Sequence, residues 1–167
     1  MRDFASLYWR LDATTSTNEK VVALREYFSS ASHDDAACAL AVLRGDRQLR
    51  AVSTVHLREW AAAASGLPAW LVEECYAHVG DLAETLALLL PDADDTATDV
   101  PAAANDADKG LAAVYRETVL GLRDAAEDRT REVVEAVWKR LAPRERIVWH
   151  KLLTGGLRVG VSRTLVA

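Results

Sequence analysis

Three glycines and an arginine crowd the stretch Thr154-Gly155-Gly156-Leu157-Arg158-Val159-Gly160-Val161-Ser162, and that mixture suits the capture of a phosphate. Glycine has no Cβ, so its backbone can come close to a bound partner. Amide N–H groups at the start of a following helix can hold an anion. Arg158 would add a charge-assisted contact with fork geometry, and Ser162 a hydroxyl. The same composition also suits a tight turn between two helices, with the glycines there for packing alone, so the stretch by itself leaves both readings open.

Charge near this stretch favours an anionic partner. The chain has 167 residues and a formal net charge of −5. The six Asp at positions 92, 94, 95, 99, 106 and 108 carry more than all of that excess, and the remainder of the chain stands at +1. Between positions 139 and 163 lie Lys139, Arg140, Arg144, Arg146, Lys151, Arg158 and Arg163 against the single acid Glu145. Such a concentration is the footprint of a phosphate-binding face on an otherwise ordinary domain, with a solvated basic helix as the alternative.

Other chemistry finds little support. His33, His56, His78 and His150 are isolated from one another and make no metal-ligand spacing. The acid pairs Asp34-Asp35 and Glu73-Glu74 are adjacent on expected helices, so their members point to different faces and read as solvated. There is neither a Walker loop nor a GxSxG elbow. Cys38 and Cys75 lie in apolar helical runs and read as buried free thiols, and Trp9, Trp60, Trp70, Trp138 and Trp149 read as core anchors.

The elements that would position these residues are helices. Half of the residues are hydrophobic, Gly and Pro number only 8 and 4, and Ile147 is the single isoleucine; helix-favouring residues dominate, which predicts one compact all-α domain. Apolar positions at spacings of three and four place helices over 4–11, 21–28 and 34–43. Ser53 caps the next, which stops near Gly66; Pro68 fits the first turn of its successor, and another spans 81–90. Residues 91–109, rich in Asp, Ala and Thr, are expected to form an acidic flexible loop between two helical halves. Helical patterning resumes over 111–122 and 133–141, and Pro143 opens a last helix closed by Gly155-Gly156.

With these elements placed, the segment Trp149-His150-Lys151-Leu152-Leu153-Thr154-Gly155-Gly156-Leu157-Arg158-Val159-Gly160-Val161 resembles the end of the DNA-binding domain of ATP-dependent DNA ligases, where a K-L-hydroxyl/aliphatic-x-G-x-x-R-hydrophobic-G pattern precedes the nucleotidyltransferase domain. Three further stretches are similar to the bacterial branch of that family: Phe4-Ala5-Ser6-Leu7-Tyr8 with the run from Leu11 to Lys20, then Leu57-Arg58-Glu59-Trp60, then Glu73-Glu74-Cys75-Tyr76 with the run from Val79 to Thr85. The resemblance implies a helical domain, 1–167, that lies on the minor-groove side of nicked duplex DNA and contacts phosphates with little sequence preference. Carried over by position, it singles out Arg158 with the backbone of Gly155, Gly156 and Gly160 for DNA contact. Lys151, Ser162 and Arg163 rank lower, and Thr17 and Lys20 form a second patch for which helix capping is the alternative.

None of Lys20, Lys109, Lys139 and Lys151 is followed by x-Asp-Gly, the motif in which ligases form their covalent adenylate. The chain is therefore expected to do no chemistry itself and to lack the catalytic nucleotidyltransferase and OB domains, with ATP and Mg²⁺ belonging to a parent ligase. It reads as a fragment or engineered domain, with a naturally truncated protein as the alternative. Its expected partners are nicked double-stranded DNA and the catalytic domains; a helical protein-interaction scaffold with a basic docking end is the competing reading. A monomer is expected, and a cytoplasmic place, since the opening Met1-Arg2-Asp3-Phe4 carries an acid where a secretory signal would have basic residues and no apolar run is long enough for a membrane span.

Overall fold

The computed structural model describes residues 1–45, 50–91 and 109–160. Its regular structure is helical, with no strand among the described residues: α1 Arg2–Asp12, α2 Thr17–Ser30, α3 His33–Leu43, α4 Thr54–Ser65, α5 Ala69–Val79, α6 Leu82–Leu89, α7 Leu111–Val114 running into a π-helical segment Tyr115–Leu120, α8 Glu127–Trp138 and α9 Pro143–Thr154. None of these helices is long and apolar enough to cross a membrane. The acidic stretch at 92–108 lies outside the described residues.

Local punctuation starts and stops these helices as the sequence predicts. Ser16, Ser32, Ser53 and Asp81 each accept a hydrogen bond from a backbone N–H of the turn they begin, satisfying donors that have no intrahelical partner. Pro143 occupies the first position of α9, where its missing N–H costs nothing.

The last helix, α9, is the spine of the fold. It packs against α6, α1 and the π-helical segment, and every residue from Glu145 to Leu153 is buried. A helix covered on all sides is normally apolar throughout, yet α9 carries Glu145, Arg146, His150 and Lys151 inside, and each is matched by a partner. Glu145 accepts hydrogen bonds from the Ala142 N–H at 3.2 Å and from Arg2 at 3.3 Å. Arg146, with no exposed surface, donates to the carbonyls of Pro91 (3.1 Å), Trp138 (2.7 Å) and Leu141 (3.2 Å). The Trp138 indole N–H donates to His150 Nε2 at 2.7 Å, and the Lys151 ammonium pairs with the Asp81 carboxylate.

This arrangement corrects, for Arg146 and Lys151, the reading of the basic run 139–163 as a phosphate-binding face. Arg146 and Lys151 point inward because α9 is central, which a charge count along the chain does not reveal. The tryptophan expectation holds for Trp60, Trp138 and Trp149, all in the core, whereas Trp70 keeps 66% of its surface exposed. Of the two free thiols, Cys38 is buried and Cys75 half-buried.

Asp35 also departs from expectation. Instead of standing solvated beside Asp34, its carboxylate reaches from α3 to the start of α7 and accepts the Ala112 N–H at 2.8 Å. Capping across 77 residues of sequence ties the two halves of the chain together. Asp35→Ala is expected to lower stability by about 1 kcal/mol; a urea midpoint identical to wild type would show that solvent replaces the cap without cost.

Candidate nucleic-acid interface

The exposed end of α9 begins at Gly155, which adopts φ +68° as the helix terminates. Its N–H and that of Gly156 both fold back onto the Lys151 carbonyl, the latter at 2.9 Å, while the Thr154 hydroxyl donates to the His150 carbonyl at 2.9 Å, so the last turn is closed within the helix. From there the chain alternates. Leu157 and Val159 are buried, while Gly156, Arg158 and Gly160 face outward. Two apolar anchors with an arginine between them hold a backbone on the surface and direct the guanidinium away from it, an arrangement with a period of two.

The segment ends against α2. Lys20, in the first turn of that helix, is only 8% exposed, and its ammonium donates to the carbonyls of Val159 at 3.0 Å and Gly160 at 3.1 Å. Gly160 has φ +57°, and a Cβ placed on it would lie 3.2 Å from Lys20 Nζ, so both the backbone conformation and the lysine favour glycine there. The two patches that the sequence treats as separate, 155–160 and Thr17 with Lys20, thus form one continuous feature. Ser16 caps α2, leaving Thr17 exposed beside it.

The remaining expected residues fall elsewhere. Lys151 is held against Asp81 and 6.0 Å from the Tyr8 ring. Burial alone would lower its pKa, but the hydrogen bond to Asp81 together with the surrounding charges of Tyr8, Asp81 and Glu84 outweighs that and raises it. For Asp81, burial would raise the carboxyl pKa, and hydrogen bonds from Lys151 and the Glu84 N–H bring it below the usual carboxylate value. Each charge is thereby neutralised within the protein. Ser162 and Arg163 lie outside the described residues.

One cation near the interface escaped the sequence reading. The Ala51 N–H donates to the Leu153 carbonyl at 2.8 Å, which brings the exposed Arg50 close to the end of α9. The signal was available as Arg44, Arg47 and Arg50 spaced three apart, but only the bond from Ala51 to Leu153 brings this part of the chain to the end of α9. Among the described residues this end of α9 therefore offers close-approach backbone and the exposed Arg158, a set suited to phosphate, with the exposed Arg50 adjoining the residue that bonds Leu153.

A family model described as DNA ligase N terminus matches residues 1–167 of the chain. No curated protein matches it.

Proposed function

The chain belongs to the DNA ligase N terminus family, and we propose that within its ligase it grips duplex DNA on either side of a nick, through phosphates and the minor groove, and orients the nick for the catalytic domains of an ATP-dependent enzyme in repair, replication or recombination. The observation that carries this reading is the outward presentation of Gly156, Arg158 and Gly160 on a backbone anchored by Leu157 and Val159. Contacts of that kind position a protein without reading bases, so sequence preference is weak. ATP and Mg²⁺ would act in the catalytic domains, since no lysine here carries the x-Asp-Gly sequence of a ligase nucleophile.

Binding should be electrostatic and modest. With roughly four to six phosphates neutralised, the slope of log K against log salt is expected near about −4 to −5, with Kd of roughly 10⁻⁴ to 10⁻⁶ M. Fluorescence anisotropy with nicked and intact duplexes over a salt series measures both. Arg158→Ala should weaken binding by about tenfold, equally on all sequences. A loss confined to one sequence would refute the phosphate role of Arg158, and absence of binding at low salt would move the chain to a protein-docking function.

A further inference from the structure

We propose that Lys20 is a positioning residue for this interface: its ammonium fixes the turn that presents Arg158, and it acts on DNA through that turn and not as a phosphate contact of its own. The inference rests on the DNA-binding reading for its consequence, but its geometry stands independently. Lys20 and Gly160 are 140 residues apart in sequence, and the lysine is 8% exposed. Two of its three N–H donors are committed to the consecutive carbonyls of Val159 and Gly160. Those carbonyls belong to the residues immediately after Arg158, on a segment that pairs with no strand among the described residues.

A backbone strand without ladder partners has few restraints. Here the buried side chains of Leu157 and Val159 fix its depth, and the lysine fixes its direction by holding two successive peptide planes. Gly160 completes the site from the other side, since any Cβ there would press on the ammonium at 3.2 Å. A charge-assisted bond to a carbonyl is stronger than a neutral one, and the pair of them fixes where the guanidinium of Arg158 begins. Preorganising a contact in this way raises affinity by lowering the ordering cost of binding.

A double-mutant cycle separates positioning from direct contact, because residues acting through one another are not additive whereas independent phosphate contacts are. Lys20→Met keeps the stem and removes the ammonium. Measured on a fluorescein-labelled nicked duplex, it should weaken binding by about fivefold in the wild-type background and by less than about twofold once Arg158→Ala is present. Backbone ¹⁵N order parameters of Val159 and Gly160, recorded without DNA, should fall in Lys20→Met while those of α4 and α8 stay unchanged. Equal losses in both backgrounds would make Lys20 a phosphate contact and overturn the inference. So would an affinity that does not change, or a loss of order spread through the whole chain. If the wild-type chain bound no DNA, the functional reading would fail, and the order parameters alone would decide whether Lys20 holds the turn.

Discussion

Arg146→Met should cost the domain about 3–5 kcal/mol, a large part of the roughly 5–15 kcal/mol that holds a domain of this size together. Methionine matches the length of the arginine stem, so little of the loss would come from a cavity. It comes from the carbonyls left behind. Leu90 and Pro91 stand at the C-terminal end of α6, and Trp138 and Leu141 at that of α8. The guanidinium of Arg146 bonds the carbonyls of all four, where a cation also complements the negative ends of two helix dipoles. Buried acceptors that lose their donor bear their full desolvation cost. Urea denaturation followed by tryptophan fluorescence reads the loss as a lower midpoint at similar m-value. A variant within about 1 kcal/mol of wild type would show that water enters and serves the carbonyls instead.

Acid should unfold this protein earlier than its carboxylates alone would. His150 has no exposed surface, and its Nε2 accepts the Trp138 indole N–H, an arrangement only the neutral ring can sustain. Burial, reinforced by the nearby charge of Arg146, lowers its pKa from 6.5 to about 3. With the folded pKa below the unfolded one, the unfolded state binds the extra proton. Stability is therefore complete above about pH 6.5 and falls by roughly 1.4 kcal/mol for each pH unit below it, reaching a loss of about 2 kcal/mol at pH 5. Asp81 has the same sign, since its carboxyl is lowered from 3.8 in the fold, but its contribution is lost only as pH drops through the acid carboxylate range. The interval from about pH 6.5 to pH 4.5 thus isolates the histidine. Urea midpoints across that interval should fall in wild type and stay nearly level in His150→Gln, whose amide oxygen can still accept from Trp138. Parallel decline in both proteins would assign the acid sensitivity to another group.

What the sequence disclosed was whatever depends on near neighbours. Ser53 begins α4, Pro143 begins α9 and Gly155 ends it, because capping, a missing N–H and a left-handed residue act within one turn. The exposed placement of Arg158 is likewise local, set by apolar residues on both sides. The inward direction of Lys20 and Lys151 was hidden because their partners lie 139 and 70 positions away, and that of Arg146 because, besides Trp138 and Leu141 close by, it reaches Pro91 55 positions away; a lysine that will meet a carbonyl reads the same as one that will meet water. The π-helical segment was hidden for another reason: its buried residues Tyr115, Thr118 and Val119 keep spacings that an α-helix would also satisfy. The approach of Ala51, and with it Arg50, to the end of α9 rests on one backbone bond to Leu153, which no pattern around it announces.

Turning Lys151 and Arg146 into the interior has a kinetic consequence. On the proposed DNA-binding reading neither displaces a counterion at a duplex, so the hold would come from fewer contacts than the charge count suggests, and fewer contacts mean a shorter residence time. A brief hold suits a module tethered to others on one polypeptide. Once a linked domain has engaged, rebinding proceeds at an effective concentration in the millimolar range, roughly, and avidity multiplies what each module contributes. On that reading the domain would let go locally and re-engage without the assembly leaving the DNA, so that release after the strand is joined need not wait on its slowest contact.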